Sequence, residues 1–199
     1  MPLSAETVRA NYARIHEEVG PDVTVVVATK YVSLEEMGVL SEAGVEVVGE
    51  NRAQDLRAKH DRYGERFRWH FIGHLQSNKV KAVNRLCELV HSLSSESAAR
   101  RLEIPALVEV VLAGEETKSG VSPDAIDRLR ELAPDVRGLM TMPPLAADPE
   151  SSRPYFRRLR ELAAARGLPE LSMGTSQDYA VAVSEGATLV RVGSALFRG

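Results

Sequence analysis

"VTVVVATKYVSLEEM", residues 23–37, decides the fold: four apolar residues, Val25 to Ala28, run without interruption almost directly into Lys30. A half-solvated strand alternates apolar and polar residues, whereas a strand covered on both faces in a parallel sheet does not. The stretch therefore predicts a central parallel strand with a lysine just past its C-terminal end. "SLEEMGVLSEAG", residues 33–44, follows with Ser33 and Glu36 at capping-box spacing and Gly44 as a stop. Strand and helix together make one βα unit.

Outward from this unit the alternation continues. Before it, Val8, Tyr12, Ile15 and Val19 recur at helical spacing between a Ser4 cap and Gly20-Pro21, predicting a helix that precedes the first strand. After it come strand-like "VEVVGE", "FRWHFI", "CELVHS", "PALVEVVL", "VRGLMTM", "ELSMGT" and "ATLVRVG", most of them separated by helix-like stretches. Eight strands in 199 residues leave about 25 residues per unit, short but workable for a (β/α)8 TIM barrel and more strands than a doubly wound sheet needs. The helix after strand four, in "SSESAARRLEIP", is abbreviated, and "SALFRG" is too brief for a full helix after strand eight. The N-terminal helix is expected to cover that gap in the outer ring. No linker divides the chain, so residues 1–199 are read as one domain.

Composition narrows the function. A formal net charge of −3 with interspersed signs offers no basic face for a nucleic-acid backbone, and "RRLR", Arg157 to Arg160, reads as a solvated helix face. No run approaches the roughly 18 apolar residues of a membrane span, and the N-terminus lacks a signal core. The single cysteine, Cys87, reads as a small core residue in a reducing cytoplasm. His70 and His74 lie on a strand-to-loop stretch without the shared helical face of a zinc motif, so no metal is expected. Trp69 and Phe71, alternating with Arg68 and His70, mark a strand with two differently packed faces.

In barrels of this kind chemistry gathers at the C-terminal strand ends. Here those ends carry Lys30, Asn51, Gly73-His74 with Gln76, Ser92, Met140 to Pro143, Gly174 to Ser176, and Arg191 with Gly193-Ser194. Small residues after strands seven and eight leave backbone N–H groups open, and a helix beginning near Ser176 would aim its positive end at the same place, which favours a phosphorylated ligand. A lysine opposite a phosphate site suggests Schiff-base chemistry, favoured if the barrel wall partly desolvates the amine. Gln76, Asn78 and Lys79 either line the mouth or begin the next helix.

"VVVATKYVS", "VGENRAQD", "WHFIGHLQSNKVK", "HSLSS", "GEETKSGV", "GLMTMPP" and "LSMGTSQDYAVAVSEGATLVRVGSALF" together resemble the pyridoxal phosphate homeostasis proteins, single-domain relatives of the alanine racemase N-terminal barrel. The resemblance implies a fold-type III barrel binding pyridoxal 5′-phosphate (PLP), with Lys30 forming the internal aldimine. It places Ser176, Gly193 and Ser194 near the phosphate, Arg191 beside the pyridine nitrogen and Asn51 near the ring. Ser94 departs from the family, standing where an acidic residue is frequent. A PLP carrier in the cytoplasm is expected, with PLP-dependent apoenzymes as candidate recipients that the sequence does not identify, and no residue is assigned a catalytic role. The alternatives are a racemase-type PLP enzyme and a cofactor-free Schiff-base aldolase. Related racemases take an opposite-face tyrosine from a second domain, for which no residues remain here, so binding without robust catalysis by a monomer is expected. Arg191→Glu is expected to weaken PLP binding and spare the fold.

Overall fold

The computed structural model describes residues 3–113 and 119–198. Its strands are β1 Thr24–Ala28, β2 Val47–Glu50, β3 Arg68–Phe71, β4 Leu89–Leu93, β5 Ala106–Glu109, β6 Val136–Met140, β7 Glu170–Thr175 and β8 Leu189–Val192. They pair in parallel, each with the next, and β8 closes on β1 with Val26 beside Arg191. The barrel expected from the sequence is present, strand for strand.

β1 shows why its sequence lacks polar alternation. Val25, Val26 and Val27 are all buried, but in two different places. Val26 joins Val47, Leu89, Leu107, Met140 and Leu189 inside the barrel, whereas Val25 and Val27 pack outward against the helices. Each such side chain removed from water contributes about 1.5–3 kcal/mol before chain entropy is counted, so neither face tolerates a polar residue cheaply. β3 alternates likewise, with Trp69 and Phe71 outward, but its inward residue is the polar His70, which is tolerated because His91 partners it.

The outer ring comprises α1 Ala5–Val19, α2 Met37–Glu42, α3 Ala53–Tyr63, α4 Val80–Leu86, α5 Glu96–Ala99, α6 Ile126–Leu132, α7 Arg153–Ala164, α8 Tyr179–Ser184 and α9 Ser194–Phe197. α1 packs against α2, α8 and α9, covering the gap left by the four-residue α9. The Asn11 amide Nδ2 ties it there by donating to Leu196 O at 3.1 Å and Arg198 O at 2.9 Å. α5 is likewise only four residues. The Ser33 capping box forms, with Glu36 N donating to Ser33 Oγ at 3.2 Å and Ser33 N to Glu36 Oε2 at 3.0 Å, although regular helix begins only at Met37.

Cys87 is buried, and that burial pushes its thiol up to about 12, as an inert core residue requires. "RRLR" is more than a solvated face. Arg157 and Arg160, together with Arg153, converge on the buried Glu185 carboxylate and staple α7 to the end of α8. No helix among the described residues is long and apolar enough to cross a membrane.

Candidate functional site

A cavity of about 270 Å³ opens at the C-terminal end of the barrel. Lys30, Asn51, Ser176, Arg191, Gly193 and Ser194 all line it, together with Thr175, Gln177, Ile72, Ala28, Met142 and Leu145. The strand ends place them. β1 delivers Lys30, β2 delivers Asn51, β7 delivers Thr175 and Ser176, and β8 delivers Arg191 from inside and Gly193-Ser194 at its rim.

Arg191 alternates with the outward Val190 and Val192, so its guanidinium points into the barrel. Its Nη1 donates to Ser172 Oγ at 2.6 Å and Ser172 O at 3.1 Å, and its Nη2 to Thr141 O at 3.0 Å. Burial lowers its pKa to about 10, against the pull of Glu109 and Asp178, which leaves the guanidinium charged at neutral pH. Below it the polar chain continues. His91 Nδ1 lies 2.7 Å from Ser172 Oγ, and His91 Nε2 lies 3.0 Å from His70 Nδ1. Since a guanidinium only donates, the Ser172 hydroxyl accepts from Arg191 and donates onward to His91, which fixes both imidazole tautomers in turn. Burial holds His70 down at about 4 and His91 well below its ordinary value, so both rings are neutral.

Ser176 Oγ accepts from Gly193 N at 3.0 Å and from Ala195 N at 3.1 Å, so two backbone donors at the start of α9 converge on one oxygen. The helix after Ser176 behaves differently from expectation. α8 starts at Tyr179, and Asp178 occupies the turn before it, its Oδ1 accepting from Thr175 N at 2.7 Å and Thr175 Oγ1 at 3.0 Å. The Asp178 carboxylate is turned back to Thr175 and Ser152, and the hydroxyl of Ser176 is positioned by α9 instead. Gly174 makes the bend possible: its φ is +91°, and a Cβ there would lie 2.6 Å from Ala182 Cβ.

Lys30 is exposed, one residue past the buried Thr29, with its Nζ 4.6 Å from the Tyr31 ring centroid. The wall does not desolvate it, because β1 ends at Ala28 and the side chain leaves from the rim. Nor does it face the β7–β8 residues across the mouth: closure of the sheet makes β8 the neighbour of β1. The Asn51 amide brings an Oδ1 that is buried and has no hydrogen-bond partner among the described residues.

The alanine racemase N-terminal domain profile matches residues 3–199. A pyridoxal phosphate homeostasis protein of Aquifex aeolicus is 42% identical over 191 residues, 85% of this chain and 84% of that protein. The chain belongs to this family. A second member, from Pseudomonas aeruginosa, is 37% identical over 78% of this chain and 75% of its own length. Among solved structures, PipY of Synechococcus elongatus with PLP bound superposes with a TM-score of 0.86 at 28% identity, covering 96% of this chain and 100% of that one. Alanine racemase of Corynebacterium glutamicum shares the fold, with a TM-score of 0.74 at 17% identity over 98% of this chain and 61% of that one.

In this family member the structure leaves some motif residues outside the cavity. Asn78 and Lys79 line a groove between α3 and α4, Gln76 and His74 are exposed, and Ser92 is buried with its hydroxyl on Gly73 O. Lys118 and most of "GEETKSGV" lie outside the described residues. Ile72, Leu145 and Gln177 line the cavity without having been singled out in the sequence. Ile72 was legible as the inward position two after His70, one residue past the end of β3. Leu145 and Gln177 sit on loops whose course no periodicity predicts.

Proposed function

We propose that this cavity binds pyridoxal 5′-phosphate and that the chain acts in intracellular vitamin B6 homeostasis, holding the cofactor covalently through Lys30. The observation that carries this reading is the convergence of an amine, a guanidinium, an unpartnered side-chain amide oxygen and three hydroxyls on one cavity, with the Ser176 hydroxyl held in place by Gly193 N and Ala195 N. The donor set fits the group. Gly193 N and Ala195 N occupy the lone pairs of Ser176 Oγ and leave its hydrogen free for a phosphate oxygen, and the Ser194 hydroxyl adds a further donor. Asn51 offers its amide to the ring.

PLP, when bound, supplies an aldehyde that condenses with amines and a ring that draws electrons from attached carbon. Arg191 restrains the second property. A protonated guanidinium can only donate, so beside a pyridine nitrogen it would occupy the lone pair and leave that nitrogen unprotonated. The cavity lining also holds no histidine, tyrosine or carboxylate among the described residues, which leaves Lys30 without a partner for moving a proton on the opposite face. Both features suit holding PLP better than transforming an amino acid with it. The racemase alternative has less support, since alanine racemase shares the fold at 17% identity while a homeostasis protein is 42% identical.

The proposal includes a single PLP-binding domain over residues 1–199, working as a monomer in the cytoplasm, with PLP-dependent apoenzymes as recipients. The unpaired Cys87 is compatible with a reducing compartment. Titration of the cofactor-free protein with PLP tests the reading: a visible imine band that saturates at one equivalent is expected. A spectrum that remains the sum of protein and free PLP would contradict it.

A further inference from the structure

Glu50, the last residue of β2, is fully buried, and neither the barrel core nor the cavity lining explains a carboxylate there. Its Oε1 accepts from Thr29 Oγ1 at 2.6 Å and pairs closely with Lys59 Nζ, and its Oε2 accepts from Asn51 N at 3.2 Å. Lys59, reaching inward from α3 with only 6% exposure, also donates to Thr29 O at 2.8 Å. Thr29 immediately precedes Lys30, and Asn51 immediately follows Glu50. One ion pair therefore grips both the residue that launches the lysine and the backbone of the cavity asparagine. Asn51 is also clamped from its other side, where the loop after β3 comes so close that a Cβ on Gly73 would sit 2.0 Å from Asn51 O.

Stability does not account for the pair. Taking both charges out of water is costly, and apolar residues of similar volume serve a core as well or better. Lys59 shares the buried face of α3 with Leu56 and Tyr63, and Glu50 ends a strand buried along its whole length. We infer that the Glu50–Lys59 pair, acting through Thr29 and the Asn51 backbone, is a positioning device for cofactor attachment at Lys30. The inference rests on the reading of the cavity as a PLP site. Its physical basis is proximity: an amine reacts with a bound aldehyde as though highly concentrated only when its starting point is fixed, and small displacements forfeit much of that advantage. Lys30 has a long, exposed side chain, so the only part of it the fold can fix is its backbone anchor.

Four variants beside the wild-type protein test this. Replacing the pair by Glu50→Leu with Lys59→Met is expected to leave thermal stability near wild type while PLP binds about tenfold more weakly and borohydride-trapped pyridoxyl-Lys30 forms more slowly. Thr29→Val, nearly isosteric but without the hydroxyl, is expected to lose affinity in the same direction, and Thr29→Ser to restore it. Lys30→Ala serves as the control for the site itself. Wild-type affinity and trapping rate in both the double variant and Thr29→Val, with Lys30→Ala defective, would overturn the positioning role and leave the PLP site standing. If the double variant does not fold, the Thr29→Val and Thr29→Ser comparison decides alone. Failure of the wild type to take up PLP would instead overturn the site and, with it, the positioning role.

Discussion

Arg191 is more deeply tied into the barrel, and Lys30 more exposed, than a reading residue by residue suggests. Arg191 is held by the carbonyls of Ser172 and Thr141 as well as the Ser172 hydroxyl, so it is part of the barrel interior and not a side chain merely facing a ligand. Arg191→Glu would place a carboxylate against those carbonyl oxygens and near Glu109, whose own pKa burial already raises. It is therefore expected to destabilise the protein by about 3–5 kcal/mol, the range for an uncompensated buried charge, rather than to spare the fold. Arg191→Gln keeps a donor and adds no charge. It should fold and bind PLP about tenfold more weakly, the loss of roughly one charge-assisted hydrogen bond. Thermal melts and PLP titrations of the two variants separate these effects; a fully stable Arg191→Glu would count against the interior placement. For Lys30, exposure moves the burden of reactivity from desolvation to placement.

At the level of elements, β3, β4 and β7 are joined inside the barrel by the chain from His70 through His91 to Ser172. His70 is held down at about 4 from 6.5, first by burial and then by Arg68, while His91 is lowered by burial, His70 and Arg191. A depressed folded-state value means that the unfolded chain takes up the proton first. Stability from these rings is complete above pH 6.5 and declines as the pH falls from there toward about 4. By pH 5.5 the loss is expected to be about 1 kcal/mol for each such histidine, above the range where ordinary carboxylates titrate. Urea midpoints at pH 7.5 and 5.5 measure it, and equal midpoints would show that the rings are not held neutral. The β7–α8 junction gives a second test at this scale. Gly174→Ala meets both a left-handed φ of +91° and a 2.6 Å approach to Ala182, so it should cost more than about 1 kcal/mol and weaken PLP binding through the displaced Ser176. Unchanged melting and affinity would contradict that view of the turn.

For the molecule as a whole, the strands were legible because parallel strands buried on both faces carry unbroken apolar runs, and β1 is the plainest case. The cavity residues at strand ends were legible for the same topological reason, since the order of the strands dictates which ends converge. The Glu50–Lys59 pair was not. Lys59 lies in "NRAQDLRAKHDRY", where it shares the inward face of α3 with Leu56 and Tyr63, but no local pattern says that the buried end of β2 holds its carboxylate partner. The His91–Ser172 contact joins residues 81 apart in sequence, beyond any local pattern. The lining also predicts weak catalysis: with no second acid or base among the described cavity residues, alanine racemisation with PLP supplied should be slower than a two-base racemase by about 10²–10⁴-fold. Turnover comparable to a racemase would contradict the holding role. The central claim, covalent capture of PLP at Lys30, is tested most directly by borohydride reduction of the PLP-loaded protein followed by peptide mapping. A pyridoxyl group on Lys30, lost in Lys30→Ala, is the expected result; a pyridoxyl group on Lys79, Lys81 or Lys118 with Lys30 unmodified would overturn the assignment.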